Sequence, residues 1–348
     1  YDLKGRTIIL GDIYDITEEQ LKSFEPVNKM FNCKMEYKKL DFNYYANNLY
    51  AYLKAGTFNC HMFHVYPYLP VLKMIKENLI IPLDDYIDFN SEILNYPFNK
   101  ASLWNGKHYG IYGGSTQSFP TSIMFYDIEM IEQNGLEDIY ELQEKGQWTW
   151  DVFVYYTKKL TADKDGNGTP DIWGCVVPNP SEFFKNLVYS NNGKFVAEAE
   201  NGDTISTINS SKVIKTFNYF NELVNVHKSV LALGTGNSFE IAKQVMTERR
   251  GAIYAYNTNP LTENKERLGM VYYPKGPDAD KYIAAYDASG FYAIPASVNN
   301  PEDICVILKE LNSKSAYDHS VDYYKNKYND RDFKIIKYAL DNPEFYYY

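Results

Sequence analysis

Residues Lys4 to Leu10 read Lys-Gly-Arg-Thr-Ile-Ile-Leu and run into Gly11-Asp12, an apolar stretch closed by turn residues. A short run of this kind is the signature of a buried strand, and Thr17 after it opens a helix with Glu and Gln in its first turn. A second strand is expected at Cys33 to Leu40, and a helix from about Tyr44 to Lys54, ended by Gly56. A third apolar run follows at His61 to Val65, then a helix at Leu69 to Glu77. Strands alternating with helices over short connections predict an α/β fold, with a parallel sheet covered on both faces. Such sheets bind ligands beyond the carboxyl ends of their strands.

The first break in this alternation is Trp104 to Gly114 (WNGKHYGIYGG), where glycines and turn residues bracket a short strand and mark a crossing between two lobes. Helical spacing then dominates, at Ile128 to Gln133, Asp151 to Leu160, Glu182 to Ser190, Ser211 to His227 and Ser238 to Glu248. Strand character returns at Leu268 to Tyr273 and Phe291 to Ile294. The chain is therefore expected to leave its first lobe and come back. Its 348 residues also exceed what one hydrophobic core usually supports.

Composition narrows the classes. Hydrophobic residues make up 45% and charged residues 23%, as in an ordinary globular protein. The net charge of −10, with basic clusters no longer than Arg249-Arg250, argues against a nucleic-acid partner. No stretch approaches the ~20 apolar residues that a spanning helix needs. The chain starts at Tyr1 without Met, so processing or cloning is expected to have removed its beginning. Cys33, Cys60, Cys175 and Cys305 are too widely spaced for a zinc or redox motif and are expected as free thiols. The 34 tyrosines stand out against 19 Phe and 4 Trp, because tyrosine joins a flat apolar face to a hydroxyl and suits wet clefts holding amphipathic ligands.

Several motifs carry candidate chemistry. Asp163, Asp165, Asn167 and Asp171 stand at positions 1, 3, 5 and 9 of a calcium-loop spacing with Gly168 at position 6, but position 12 is Gly174 rather than a carboxylate. A structural calcium and an Asx-rich turn that satisfies its own backbone both fit this loop. His61 and His64 would point to opposite faces of a strand and so could not share a metal. His64, Tyr66 and Tyr68 fall at the carboxyl end of the expected third strand, where side chains reach a ligand. Tyr112-Gly-Gly-Ser115, Tyr254 to Asn259 and Tyr286-Asp287-Ala-Ser289-Gly290 place rings beside hydrogen-bonding groups at element ends. Nucleophile-elbow, P-loop, zincin and dinucleotide-binding signatures are missing from the sequence, so a non-enzyme is expected.

Taken in order, these segments resemble the family-1 extracellular solute-binding proteins, the sugar receptors of bacterial ABC importers. The likeness runs over nearly the whole chain. It rests most on Trp104-Asn-Gly-Lys-His-Tyr-Gly-Ile-Tyr-Gly-Gly, Met124-Phe-Tyr-Asp127, Trp148-Thr-Trp150-Asp, Lys158-Lys-Leu-Thr and the Asp-rich loop ending at Trp173-Gly174, with support from Ile81-Pro-Leu-Asp-Asp-Tyr-Ile-Asp and Tyr273-Pro-Lys-Gly-Pro.

The resemblance implies a two-lobed periplasmic-binding-protein-like fold of type II. Residues 1–111 and 260–312 would form lobe one, and 115–257 and 315–348 lobe two, with C-terminal elements lost beyond Tyr348. A hinge would close the lobes on a small polar ligand, a mono- or oligosaccharide. The implied ligand contacts are Asp12, His64, Tyr66, Tyr112, Ser118, Phe183, Tyr254, Tyr256, Asn257 and Asp287. Tyr256 takes the platform role in a stretch that has no Trp. The implied partners are ABC permease subunits; the implied setting is the outer surface of a Gram-positive bacterium, through a lipid anchor absent from this chain, or a periplasm. A monomer is expected, with no cofactor beyond the calcium. A secreted carbohydrate-active enzyme and a surface sensing or adhesion module of the same fold remain the alternatives.

Overall fold

The computed structural model describes all residues except 92, 93, 95, 114–118, 202, 235, 313, 314 and 348. Two five-stranded sheets organise it. Their strands along the chain are β1 (Arg6–Asp12), β2 (Cys33–Lys39), β3 (Met62–Val65), β4 (Ile111–Tyr112), β5 (Ile123–Asp127), β6 (Trp173–Val177), β7 (Val230–Ala232), β8 (Gly251–Tyr254), β9 (Leu268–Tyr272) and β10 (Phe291–Ala293). The chain divides into two compact units. One holds Tyr1–Ser118, Asp287–Tyr324 and Tyr347; the other holds Phe119–Tyr286 and Lys325–Tyr346.

The first unit carries the sheet β2-β1-β3-β10-β4. β1 runs parallel to β2, from Arg6 opposite Cys33 to Asp12 opposite Lys39, and parallel to β3 with Leu10 opposite Met62. β10 returns antiparallel, with Tyr292 opposite His64. Because side chains alternate along a strand, Ile8, Leu10, Met35 and Met62 join one buried cluster, to which helices Glu18–Phe31 and Pro301–Leu311 add Phe24, Val27, Ile304, Ile307 and Leu308. Phe63 meets Phe58 edge-on, with ring centroids 5.5 Å apart. The helix Leu49–Ala55 stops at Gly56, whose φ of 66° is a left-handed cap that glycine adopts without a Cβ penalty. All four cysteines are free thiols, and Cys33 and Cys60 lie at the starts of the strands on either side of β1.

The second unit carries the sheet β7-β6-β8-β5-β9, in which β5 runs antiparallel to both neighbours. Of these strands only β9 is expected from the sequence; the other four are missed. In β5, β6 and β8 nearly every residue is buried, so they show no alternation and cannot be told from helix by period, and the three residues of β7 are too few to show one. Asp127 ends β5, caps the helix Ile128–Gln133 by accepting from Met130 N at 3.0 Å, and pairs with Arg267 Nε at 3.0 Å while fully buried.

The segment 260–286, assigned from the sequence to lobe one, belongs to the second unit because β9 pairs with β5 over its whole length. Residues 315–324 lie with the first unit rather than the second. The two units are otherwise stitched from non-adjacent pieces. Among the described residues no helix is long and apolar enough to cross a membrane.

Candidate functional site

The carboxyl ends of β1, β2 and β3 come together on one edge of the first sheet, since all three strands run parallel. There Tyr66 donates its hydroxyl to Asp12 Oδ1 at 2.7 Å, and the same oxygen accepts the Ile13 amide at 2.6 Å. No hydrogen bond to Asp12 Oδ2 is made among the described residues, whereas Oδ1 is held by Tyr66 and the backbone. Burial and the Asp12 hydrogen bond both push the Tyr66 hydroxyl far up, keeping it a neutral donor.

His64 lies beneath this pair. It is 1% exposed, its ring stands edge-on to Tyr66 at 4.3 Å and tilted against Tyr292 at 5.0 Å, and neither ring nitrogen has a hydrogen-bond partner among the described residues. Burial lowers its pKa from 6.5 to about 4 despite the nearby Asp12 charge, so the ring is neutral at pH 7. His61 behaves differently: its Nδ1 accepts the Ile9 amide at 3.0 Å, which fastens the start of β3 to β1.

Aromatic rings surround the pair. Tyr66 and Tyr68 are parallel within 6° at 5.7 Å, Tyr14 stands edge-on to Tyr66 at 5.6 Å, and Phe42 edge-on to Tyr68 at 5.4 Å. Tyr45, fully buried, backs both Tyr66 and Tyr68 and donates its hydroxyl to the His64 carbonyl. The sequence reading left Tyr14, Phe42, Tyr45 and Tyr292 out of the site. Counting a few residues past each strand end would have found Tyr14 and Phe42.

The remaining expected contacts divide. Tyr112 is 5% exposed, with its ring against Phe98 at 4.8 Å, its amide on Asn99 Oδ1 and its carbonyl taking the Tyr96 hydroxyl. Phe183 is fully buried among Phe153, Phe220 and Tyr273, and Tyr254 is 2% exposed within β8. All three pack into the interior of their own unit with almost no exposed ring surface. Tyr256 and Asn257 are half-buried just past β8, and Tyr256 meets the exposed Phe239 edge-on at 4.9 Å. Asp287 ends the strand Ala285–Asp287, and its carbonyl takes the Ser289 amide at 2.8 Å. Ser118 lies outside the described residues. The structure brings Asp12, His64 and Tyr66 together, and places Tyr256 and Asn257 in the other unit.

In the Asp-rich loop, carboxylate oxygens of Asp163, Asp165 and Asp171 lie within 4.8 Å of one another. Each also accepts from its own loop: Gly166 and Gly168 amides bind Asp163, the Asn167 amide binds Asp165, and the Lys164 amide binds Asp171. These amides hold Asp163 below the usual carboxylate range. Gly174 could not carry the twelfth ligand, because a Cβ there would lie 2.0 Å from the Thr157 carbonyl oxygen. A separate cavity of about 540 Å³, lined by Asp84, Asp85, Asp88, Phe89 and His108 among others, involves none of the expected contacts. There His108 stacks on Phe89 and pairs with Asp84.

No protein-family model matches the sequence, and no curated relative does either. Solved structures do match in fold. The sugar-binding protein MalE from Xanthomonas citri superposes with a TM-score of 0.70 at 13% identity, over 98% of this chain and 86% of that one. UspC of M. tuberculosis gives 0.69 at 14%, over 97% and 89%. An ABC substrate-binding protein from Listeria monocytogenes, solved in complex with cycloalternan, gives 0.63 at 16%, over 98% and 88%. At these identities the likeness shows the fold, the α/β periplasmic-binding-protein-like class.

Proposed function

We propose that this chain, with the fold of solute-binding proteins, is a non-catalytic receptor that captures a carbohydrate and hands it to the permease subunits of an ABC importer. The Asp12–Tyr66 pair over His64 carries this reading. A carboxylate with one committed and one open oxygen suits a sugar hydroxyl, and the rings around it suit the apolar C–H face of a pyranose. His64 beneath them would gain from any hydroxyl or accompanying water that reaches its unpartnered nitrogens. Sugar-bound solved relatives of the same fold support the substrate class.

Glycoside hydrolysis ordinarily takes two flanking carboxyl groups. In this hydrogen-bonded group Asp12 is the one carboxylate, and it is locked by Tyr66 and the backbone, which favours capture over turnover. The receptor would work outside the cell membrane, in a periplasm or tethered by a lipid anchor carried on a segment outside this chain, as a monomer.

A thermal-shift screen over neutral mono- and oligosaccharides tests the proposal. A sugar present at 100 times its dissociation constant should add about 2.7 kcal/mol of stability. Asp12→Ala and Tyr66→Ala should each weaken that sugar by about 10-fold or more in calorimetry, the worth of one charge-assisted hydrogen bond or one ring contact with its support. Silence of every sugar, or tight binding retained by both variants, would reject the site.

For the Asp163–Asp171 loop we propose a weak structural calcium site, formed by Asp163, Asp165, Asn167 and Asp171 without a bidentate twelfth ligand. Its affinity should fall in the range of weak extracellular calcium modules, about 0.1–1 mM. Millimolar calcium should raise the melting temperature modestly and magnesium should not, and Asp163→Asn should abolish the shift. No shift at about ten times that concentration would leave an Asx turn closed on its own backbone.

A further inference from the structure

Four large apolar side chains of the second unit stand in water: Ile205 is 44% exposed, Ile208 56%, Ile214 50% and Phe217 60%. They come from a two-stranded sheet, Val196–Glu198 with Thr204–Ser206, from the helix Ser211–Asn221 and from the link between them. Ile205 pairs with Ala197, and the ladder runs on to Phe195, whose carbonyl takes the Thr207 amide at 2.9 Å. Side chains alternate along a strand, so Phe195, Ala197 and Ile205 share one face. Phe195 meets Phe184 at 6.1 Å, and Phe184 meets Phe217 edge-on at 6.3 Å, so the hairpin face and the helix face form one apolar surface. Ile214, one turn before Phe217, extends it.

The hairpin also has a bare edge. The Asp203 carbonyl takes the Ala199 amide and the Phe195 carbonyl takes the Thr207 amide, so Asp203, Ile205 and Thr207 turn their backbone groups toward the neighbouring strand. Thr204 and Ser206 therefore turn their amides and carbonyls outward, and among the described residues no third strand receives them. Edges of this kind are ordinarily guarded by a charge, a proline or a bulge, yet Thr-Ile-Ser-Thr-Ile from Thr204 to Ile208 holds neither a charged residue nor a proline. Charge is instead split along the hairpin. Glu198, Glu200 and Asp203, all exposed, flank the connection between the strands, whereas Lys194 and Lys212 stand at the open end, where Lys212 Nζ donates to the Asn192 carbonyl at 3.0 Å.

We infer that two copies of the chain associate through this face, edge to edge along Thr204–Ser206. A two-fold axis through Ile205 pairs Thr204 of one copy with Ser206 of the other and makes a four-stranded antiparallel sheet. The same axis carries the acidic turn of each copy to the Lys194 end of the other and sets the two apolar surfaces side by side. The pairing goes beyond the carbohydrate capture proposed above and does not depend on it. A short edge with a small apolar surface makes a weak interface, so micromolar protein stays the monomer proposed above and pairs form at about 0.1 mM.

The test is sedimentation velocity of the whole chain, without sugar, from about 5 µM to about 500 µM, over which the average mass should climb from one copy toward two. Ser206→Pro removes an outward amide and leaves the bonds to the neighbouring strand intact, and Ile205→Lys puts a charge on the shared face. Each should weaken association at least about 10-fold at unchanged melting temperature. Glu200→Lys should weaken it about 3-fold, and adding Lys194→Glu should restore the parent value, because both copies then carry both changes. A single species over the whole range would overturn the inference, as would a dimer indifferent to both Ser206→Pro and Ile205→Lys. Flotation of the parent with phosphatidylcholine vesicles, abolished by Phe217→Lys, would also overturn it, since the apolar surface would then face lipid.

Discussion

Trp148→Ala is expected to cost about 3–5 kcal/mol and to lower the melting transition by roughly 10 °C. Trp148 sits between the helices Ile139–Glu144 and Trp150–Leu160 with no exposed surface, edge-on to Phe153 and to Tyr156, each at 5.8 Å. Its Nε1 donates to the Tyr272 carbonyl at 3.0 Å, tying the turn to the end of β9, and its own amide donates to the Tyr282 hydroxyl oxygen at 3.1 Å. Alanine would leave a cavity as well as losing the transfer energy of the indole, and would strip one donor from Tyr272. Trp148→Phe should recover most of the ring packing and lose chiefly that hydrogen bond, about 1 kcal/mol. Urea denaturation of the two variants and the parent protein would measure both numbers. A Trp148→Ala loss under about 1 kcal/mol would mean that the turn is not part of the cooperative core.

The protein should also lose stability as pH falls from 6.5 toward about 4, and His64 should account for a loss on the order of 3 kcal/mol. The direction follows from proton counting. Folded His64 stays neutral until about pH 4 because burial penalises its charge, whereas unfolded His64 takes a proton near 6.5. Between those values the unfolded chain binds more protons, so lowering pH favours it. His61 is lowered by burial as well and adds in the same sense. Asp332, raised by burial, acts in the opposite sense because its folded form holds a proton more readily. A difference measurement separates these groups: His64→Gln should flatten the parent's slope of unfolding free energy against pH between pH 6.5 and 4. Equal slopes in the two proteins would mean that water reaches the His64 ring.

The first sheet was legible in the sequence because its strands alternate with amphipathic helices. The strand start expected at Lys4 falls at Arg6, and the helix ends shift by one or two residues, while the order of elements holds. The second sheet was not legible. In β5, β6 and β8 nearly every residue is buried, so the period that distinguishes strand from helix is absent. The boundary error at 260–286 has the same root, since placing β9 requires knowing that β5 is there to receive it.

For the candidate site, sequence alone determined that the chain would alternate strands and helices and that Asp12, His64 and Tyr66 would fall near one another at the parallel strand ends, as they do. Strand direction fixes which ends meet, and residue order reveals direction. Only the tertiary structure decided which tyrosines face water and which fill the core. Tyr112 and Tyr254 look like Tyr14 and Tyr68 in sequence, but exposure depends on what distant segments lay across each ring, as Phe98 does across Tyr112. Burial is a property of contacts between non-adjacent residues, and no local pattern encodes it.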